Sequence, residues 1–511
     1  MFGAFSFLLY LWMTELSFQF NWGEGYAKRP ILTYLLIYCG LFIQYACACI
    51  ASLRKPGTSS SLSLWIVIIW GLLFRAALIP SNQIQEDDVY RYLWDGKVFS
   101  HNINPYKYAP AEVNDYLPFK IRDPEDFQKK YGPEGKEELE RLNQLKWESD
   151  AALNTIERVN HPDIPTIYPP MAQFVFRLAA TLRPDSILTL RLAFLLFDLT
   201  TLVFIIKILD VMGRDRIYCL IYFWSPLVIK ETFNSTHLDI IGIAFLSMSL
   251  YFLLRHRHVP AILCLAGGVL GKLYPVILLP FYLERAALRN KIVGRPVLSG
   301  TLGLFLIFSG AVIAGYLPFI DTELSLFSGL KAFSTYWQSN DSIFSLLVFF
   351  FGEVLRLKTL EITVFSNDLP TFLGKATAVL ILLAVLLYIL FWKNFLQKPR
   401  EQLMLSIFIL MSLVFILSPV QNPWYLLWVV PFLCLYPLRP WILLTGLVGL
   451  YYLDFYFDYQ DIPQYSAWIP WFEYAPFYGY LAYGFWKNKT ESREEPVTEQ
   501  SGKLSTFAKG L

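Results

Sequence analysis

The sequence predicts an all-α protein, a polytopic membrane helical bundle of roughly 12–14 spans with one large non-cytoplasmic loop carrying interfacial helices. Three observations lead there. Of 511 residues 55% are hydrophobic and 16% charged, too apolar for a surface kept in water. Apolar runs long enough to cross a bilayer recur along the whole chain. A single long polar stretch, residues 81–166, interrupts them. The net charge of +2 is spread over short connections, so no basic field suggests nucleic acid. Cys39, Cys47, Cys49, Cys219, Cys264 and Cys434 all fall in apolar runs without a CxxC pair, which argues for packing rather than a metal or disulfide framework.

Taken in order, the predicted spans lie near 3–20, 31–53, 63–80, 187–209, 217–233, 237–254, 297–316, 372–393, 402–418, 424–437, 440–454 and 472–487. The first of these lacks a basic residue ahead of it, the earliest being Lys28, and reads as a retained span rather than a cleaved signal. Basic clusters at Arg54-Lys55, Lys207 to Arg216, Arg255 to His258, Arg285 to Arg295, Lys393 to Arg400, Arg439 and from Lys487 onward are assigned to the cytoplasm by the positive-inside rule. The 26 residues 259–284 are flanked by basic clusters on both sides yet are too short for two crossings. They read as a re-entrant pair of half-helices broken at Gly271-Lys272-Leu273-Tyr274-Pro275, with Lys272 at the apex. This divides the chain into N-terminal spans (1–80), an outer catalytic loop (81–166), an interfacial helix with the main bundle (167–487) and a disordered cytoplasmic tail (488–511).

The outer loop holds 17 of the 41 acidic residues and 11 basic ones. Its middle, Asp123 to Asp150, reads as a solvated helical surface. Its beginning, EDDVYRYLWDGKVFSHNINPYKYAP from Glu86, places three acids among tyrosines and a tryptophan. On a helix Asp88, Arg91, Tyr92 and Asp95 share one face and Asp87, Tyr90 and Trp94 the next, so carboxylates and aromatics are expected together at the membrane edge, with the helix stopping at Gly96 or soon after. Adjacent carboxylates repel unless a cation or a task holds them, so the expected role is a general base with a supporting acid. The bland alternative is an interfacial aromatic belt with solvated acids.

The end of the loop, NHPDIPTIYPPMAQFVFRLAATL, reads as an extended, proline-rigid lead into an interfacial helix, where His161 is either a proton shuttle or an ordinary loop residue. Asn234 to Asp239 and Lys272 put ionisable groups (His237, Asp239, Lys272) in apolar surroundings. With Arg91 they would make a cationic pocket for a phosphate, against a reading as structural contacts. Trp337, Trp424 and Tyr425 on later outer connections suit either a belt or a platform under a sugar ring.

The blocks DDVYRYLWDGKVFSHNINPY, HPDIPTIYPP, HLDIIGIA, KLYPVILLP and NPWYLLW resemble, in that order, the polytopic membrane glycosyltransferases of the C superfamily, and most closely the bacterial polyprenyl-phosphate-mannose-dependent mannosyltransferases. The likeness runs from about Gln85 to Trp428. It implies transfer of a hexose, mannose first, from a polyprenyl-phosphate sugar to a hydroxyl of a lipid or glycan acceptor, with inversion, on the non-cytoplasmic face of a plasma (inner) membrane. It implies no metal and no cofactor beyond that donor substrate, with surrounding membrane lipids and no nucleic acid as partners. The family's acid pair maps to Asp87, the expected base, and Asp88. Arg91, His237 and Lys272 are the expected phosphate holders; Tyr90, Trp94, Asp95, His161, Tyr168, Asp239, Trp337, Trp424 and Tyr425 are supporting candidates. Tyr168 departs from the pattern, standing where related transferases carry a basic or His residue before the paired prolines. A lipid-linked glycan polymerase or ligase and a membrane transporter are the rival readings.

Overall fold

The computed structural model describes residues 1–23, 25–53, 61–292, 297–321, 325–392 and 400–494. The expected basic connection at Arg54-Lys55, residues 393–399 of that from Lys393 to Arg400, residues 293–295 of that from Arg285 to Arg295, and the tail beyond 494 lie outside the described residues.

Helices dominate from the start: α1 (Phe2–Ser17), α2 (Ile31–Leu53) and α3 (Ser61–Leu78) are apolar almost throughout. The outer segment follows as α4 (Asp88–Ser100), α5 (Pro110–Asn114), α6 (Tyr116–Arg122), α7 (Pro124–Lys146), α8 (Asp150–Glu157) and α9 (Pro170–Leu182). The chain then runs through α10 (Ile187–Val211), the single turns α11 (Leu220–Phe223) and α12 (Pro226–Ile229), and α13 (Asp239–Leu254). Next come α14 (His258–Gly271), α15 (Leu279–Ile292), α16 (Val297–Tyr316) and α17 (Ser328–Tyr336). Beyond α17 the described residues are mainly helical, with a hairpin of two-residue strands pairing Thr363 with Asp368 and an isolated bridge between Ser339 and Val420.

Among the described residues six helices are long and apolar enough to cross a membrane: Ile31–Leu53, Ser61–Leu78, Ile187–Val211, Leu298–Phe319, Leu369–Phe391 and Arg439–Tyr459. The protein is an integral membrane protein. The apolar runs near 217–233 and 424–437 are broken into single turns with Pro226, Pro423 and Pro431 at their first or second position, because proline supplies no amide to continue a helix.

The chain divides into two compact units, each assembled from distant segments. One comprises Met1–Gln85, Leu202–Asn234 and Gln338–Leu511; the other comprises Glu86–Thr201 and Ser235–Trp337. Within the first, Arg75 on the span α3 is buried but satisfied. It donates to the carbonyls of Gly71 (2.9 Å) and Phe223 (2.8 Å), and its guanidinium lies 3.7 Å from the centre of the Phe223 ring. In the same unit the Asn234 amide donates to Ser81 Oγ and the Asn82 carbonyl while its Oδ1 accepts from the Ile84 amide, pinning the segment that leads to the acids.

Within the second unit, α4 is a core helix. Every residue from Val89 to Phe99 is buried, so the expected display of its aromatics at a membrane edge is not what forms. The helix passes Gly96 and ends soon after it. It continues to Ser100 because Gly96 is where α9 comes closest: a Cβ there would stand 2.4 Å from the Phe176 carbonyl oxygen. Around that approach the ring of Tyr92 stacks on Phe176 (centroids 4.7 Å apart) and meets Tyr168 edge-on at 4.9 Å. Lys97, also on α4, is clamped by Asp185 (2.7 Å) and Glu148 (3.0 Å), which ties the helix to the ends of α7 and α9.

Candidate active site

Asp88 opens α4 and Asp87 is its N-cap, a position where aspartate commonly accepts a bond from the helix's first amides. Here the Asp87 side chain makes no such cap. Its Oδ1 instead accepts a bond from the side-chain amide of Asn160 at 3.0 Å, and the same amide nitrogen donates to Asp88 Oδ1 at 2.6 Å. Asn160 lies three residues past the end of α8, in the turn before Pro162. The segment HPDIPTIYPP begins one residue after it, and no pattern of spacing singled it out.

The other oxygen of Asp88 faces two further groups. Tyr92 OH donates to Oδ2 at 3.5 Å, and Nδ1 of the buried His237 is 3.7 Å away. His237 comes from the 235–238 connection, where Thr236 adopts a left-handed φ of 63°. Arg191, near the start of α10, donates from Nε to Thr236 Oγ1 at 3.0 Å, which braces that turn. Arg158 lies with its guanidinium 3.9 Å from the centre of the Tyr90 ring and acts electrostatically on Asp87. Neither arginine was singled out from the sequence, although Arg191 carried a readable signal, a cation five residues into an apolar helix.

Electrostatics make Asp87 more basic than an ordinary aspartate. Burial and the neighbouring Asp88 charge push its carboxyl up to about 6, against the opposing pull of the Asn160 bond and Arg158. A carboxyl near 6 is largely ionised at neutral pH yet accepts a proton more readily than an ordinary aspartate. Asp95, two turns along α4, is likewise pushed up to about 6 by burial, opposed by Arg91, Thr166 and Gln173. Gln173 donates to its Oδ2 at 3.1 Å. That network lies inside the packing between α4 and α9.

The remaining expected residues separate clearly. Arg91, expected beside a phosphate, turns its Nη2 onto two consecutive backbone carbonyls, Asn160 at 3.1 Å and His161 at 2.9 Å. Lys272, in the break between α14 and the turn at Tyr274–Leu278, pairs with Asp239 at 3.3 Å and remains partly exposed. His161 is exposed with a φ of 46°, and its ring meets Trp337 at 4.7 Å. Tyr168 and Trp94 are buried in packing, so neither offers an open ring face. Trp424 and Tyr425 belong to the other unit and are buried there, Tyr425 stacked on Trp428 at 4.8 Å. Among the described residues no three His, Cys, Asp or Glu side chains converge in a way that could hold a metal ion.

Two family models match the chain. The N-terminal domain of alpha-(1->6)-mannopyranosyltransferase covers residues 161–287, and the MptB C-terminal domain covers 360–458. No curated protein and no solved structure matches it. The first match takes in His161, His237, Asp239 and Lys272 but begins after Asp87, Asp88 and Asn160, whose place in the site rests on their geometry. Two mannosyltransferase-family domains matched in order on an apolar helical scaffold make the chain a membrane glycosyltransferase.

Proposed function

We propose that the protein transfers mannose from a polyprenyl-phosphate donor to a hydroxyl of a glycolipid or envelope glycan, with inversion, at the non-cytoplasmic face of the bacterial inner membrane. The observation that carries this reading is the raised, partly accessible Asp87 carboxyl beside Asp88, with cationic side chains in the same unit. Asp87 takes the proton from the acceptor hydroxyl as that oxygen attacks the anomeric carbon. The bond from that carbon to the phosphate oxygen breaks, and its electron pair leaves with polyprenyl phosphate. Arg158, Lys272 and His237 are the proposed anchors for the phosphate charge; Arg91 is assigned to the loop instead, since its Nη2 is engaged by carbonyls. The sidedness follows from the basic connections assigned to the cytoplasm.

The test is transfer of labelled mannose from polyprenyl-phosphate mannose into a membrane lipid extract by the purified protein and its Asp87→Asn variant, with and without chelator. Transfer that survives chelator and is lost in the variant supports a metal-independent reaction with Asp87 as base. Transfer abolished by chelator would overturn the metal-free mechanism, and full activity in the variant would remove Asp87 from it. If no mannose or glucose donor is used by the wild-type protein, the donor assignment fails.

A further inference from the structure

We infer that Asn160 is the positioning residue of the acid pair, its single amide group holding Asp87 and Asp88 together while Arg91 fixes where that amide stands. The inference rests on the reading of Asp87 as the base.

The geometry closes on itself. Asp87 and Asp88 sit at the start of α4, and Arg91 stands one turn further along the same helix. Arg91 reaches out to the carbonyls of Asn160 and His161, and from that gripped turn the Asn160 side chain returns to both carboxylates at 3.0 and 2.6 Å. The acids and the grip on their shared donor are therefore carried by one rigid element, and any movement of the 158–162 turn reaches both acids at once. The left-handed φ of 46° at His161 is a conformation that non-glycine residues seldom adopt, and it falls on the residue whose carbonyl Arg91 holds.

An amide suits this place for a chemical reason. It has two N–H groups, one for each carboxylate, and carries no charge. A lysine or arginine there would neutralise the pair and leave a poor base; with no donor there, the repulsion between the carboxylates would hold a proton on one of them. The bridge engages Oδ1 of each acid and leaves their second oxygens outside it. The other groups facing the pair are Tyr90 and Tyr92 on α4, Arg158 beyond α8, and His237 from the 235–238 connection. The Asn160 amide is bonded to both carboxylates, so removing it removes that shared donor.

The experiment is the pH dependence of kcat/KM for mannose transfer by wild type, Asn160→Ala, Asn160→Ser, Arg91→Ala and the Arg91→Ala/Asn160→Ala double variant, with Asp87→Asn as reference. For Asn160→Ala the acid limb is expected to move up by about one pH unit, which is about a tenfold loss on that limb with much of the alkaline plateau regained. Asn160→Ser, which keeps one donor, falls between the two. Arg91→Ala shifts the limb in the same direction, and the double variant shifts it no further than Asn160→Ala alone, the sign of two residues acting through one contact. An unshifted limb in folded Asn160→Ala or Asn160→Ser, alongside an inactive Asp87→Asn, overturns this inference and leaves the base assignment standing. Wild-type transfer by Asp87→Asn overturns both.

Discussion

Two ionic clusters in this chain set the same kinds of side chain in opposite surroundings. In the first unit Lys230 and Glu231, on a widened helical turn, are 0% and 1% exposed and lie 3.3 Å apart. Tyr452 donates to both Glu231 oxygens at 3.0 and 3.2 Å and also accepts a bond from Lys230, whose ammonium lies 3.7 Å from the centre of the Tyr452 ring. The charges cancel and solvent is excluded. In the second unit Asp87 and Asp88 have like charge, remain partly accessible, and are held by a neutral amide. A cancelled pair has no reason to exchange a proton, whereas an uncancelled one is poised to take one.

The sharpest way to break this contrast is Asp87→Asn. Loss of a general base is expected to lower mannose transfer by about 10³-fold while leaving thermal stability in detergent nearly unchanged. Glu231→Ala should do the opposite. It strands a buried ammonium, with an expected loss of about 3–5 kcal/mol in stability, read as a lower melting temperature or failure to purify. Replacing both members by apolar residues, Lys230→Met with Glu231→Leu, should recover most of that loss. A Glu231→Ala variant of normal stability would show that the first cluster is not structural.

Smaller effects sharpen the picture within the second unit. Gly96→Ala forces a Cβ against the Phe176 carbonyl oxygen, backbone that cannot swing aside, and is expected to cost about 1–3 kcal/mol and to loosen α4 from α9. The measurement is the melting temperature together with kcat, since a shifted α4 displaces both acids. Asp95 gives the mildest prediction. Its folded carboxyl lies near 6, above its ordinary 3.8, so the folded state binds that proton more tightly than the unfolded chain. Stability therefore falls as pH rises from about 4 through about 6 and is flat above. Asp95→Asn should flatten that slope, and an unchanged slope would assign the pH dependence elsewhere.

The acid pair was legible from the sequence because three consecutive acids among tyrosines, just after an apolar run, have no packing explanation. His237, Asp239 and Lys272 were legible for a similar reason, as charges where the surroundings are apolar. Arg91 was visible as a residue but not as a function, since facing a phosphate and gripping a carbonyl require the same side chain on the same helix face. Asn160 was not legible at all: a lone asparagine before His-Pro looks like any turn residue, and its partners lie more than seventy positions away. The helix ends soon after Gly96, as expected, but the glycine itself serves close helix packing, a use that local sequence cannot tell from a helix end.

Composition and apolar run length alone determined that this chain lives in a membrane and is helical, because no other backbone arrangement built from one segment satisfies its own hydrogen bonds there. The matched domains then made it a glycosyltransferase. Only the tertiary structure decided that α4 is buried rather than displayed, that Arg91 holds a loop, and that one amide spans two acids. Each of these depends on segments distant along the chain arriving within 3.5 Å of one another, and periodicity, which reads only local neighbours, carries no information about that.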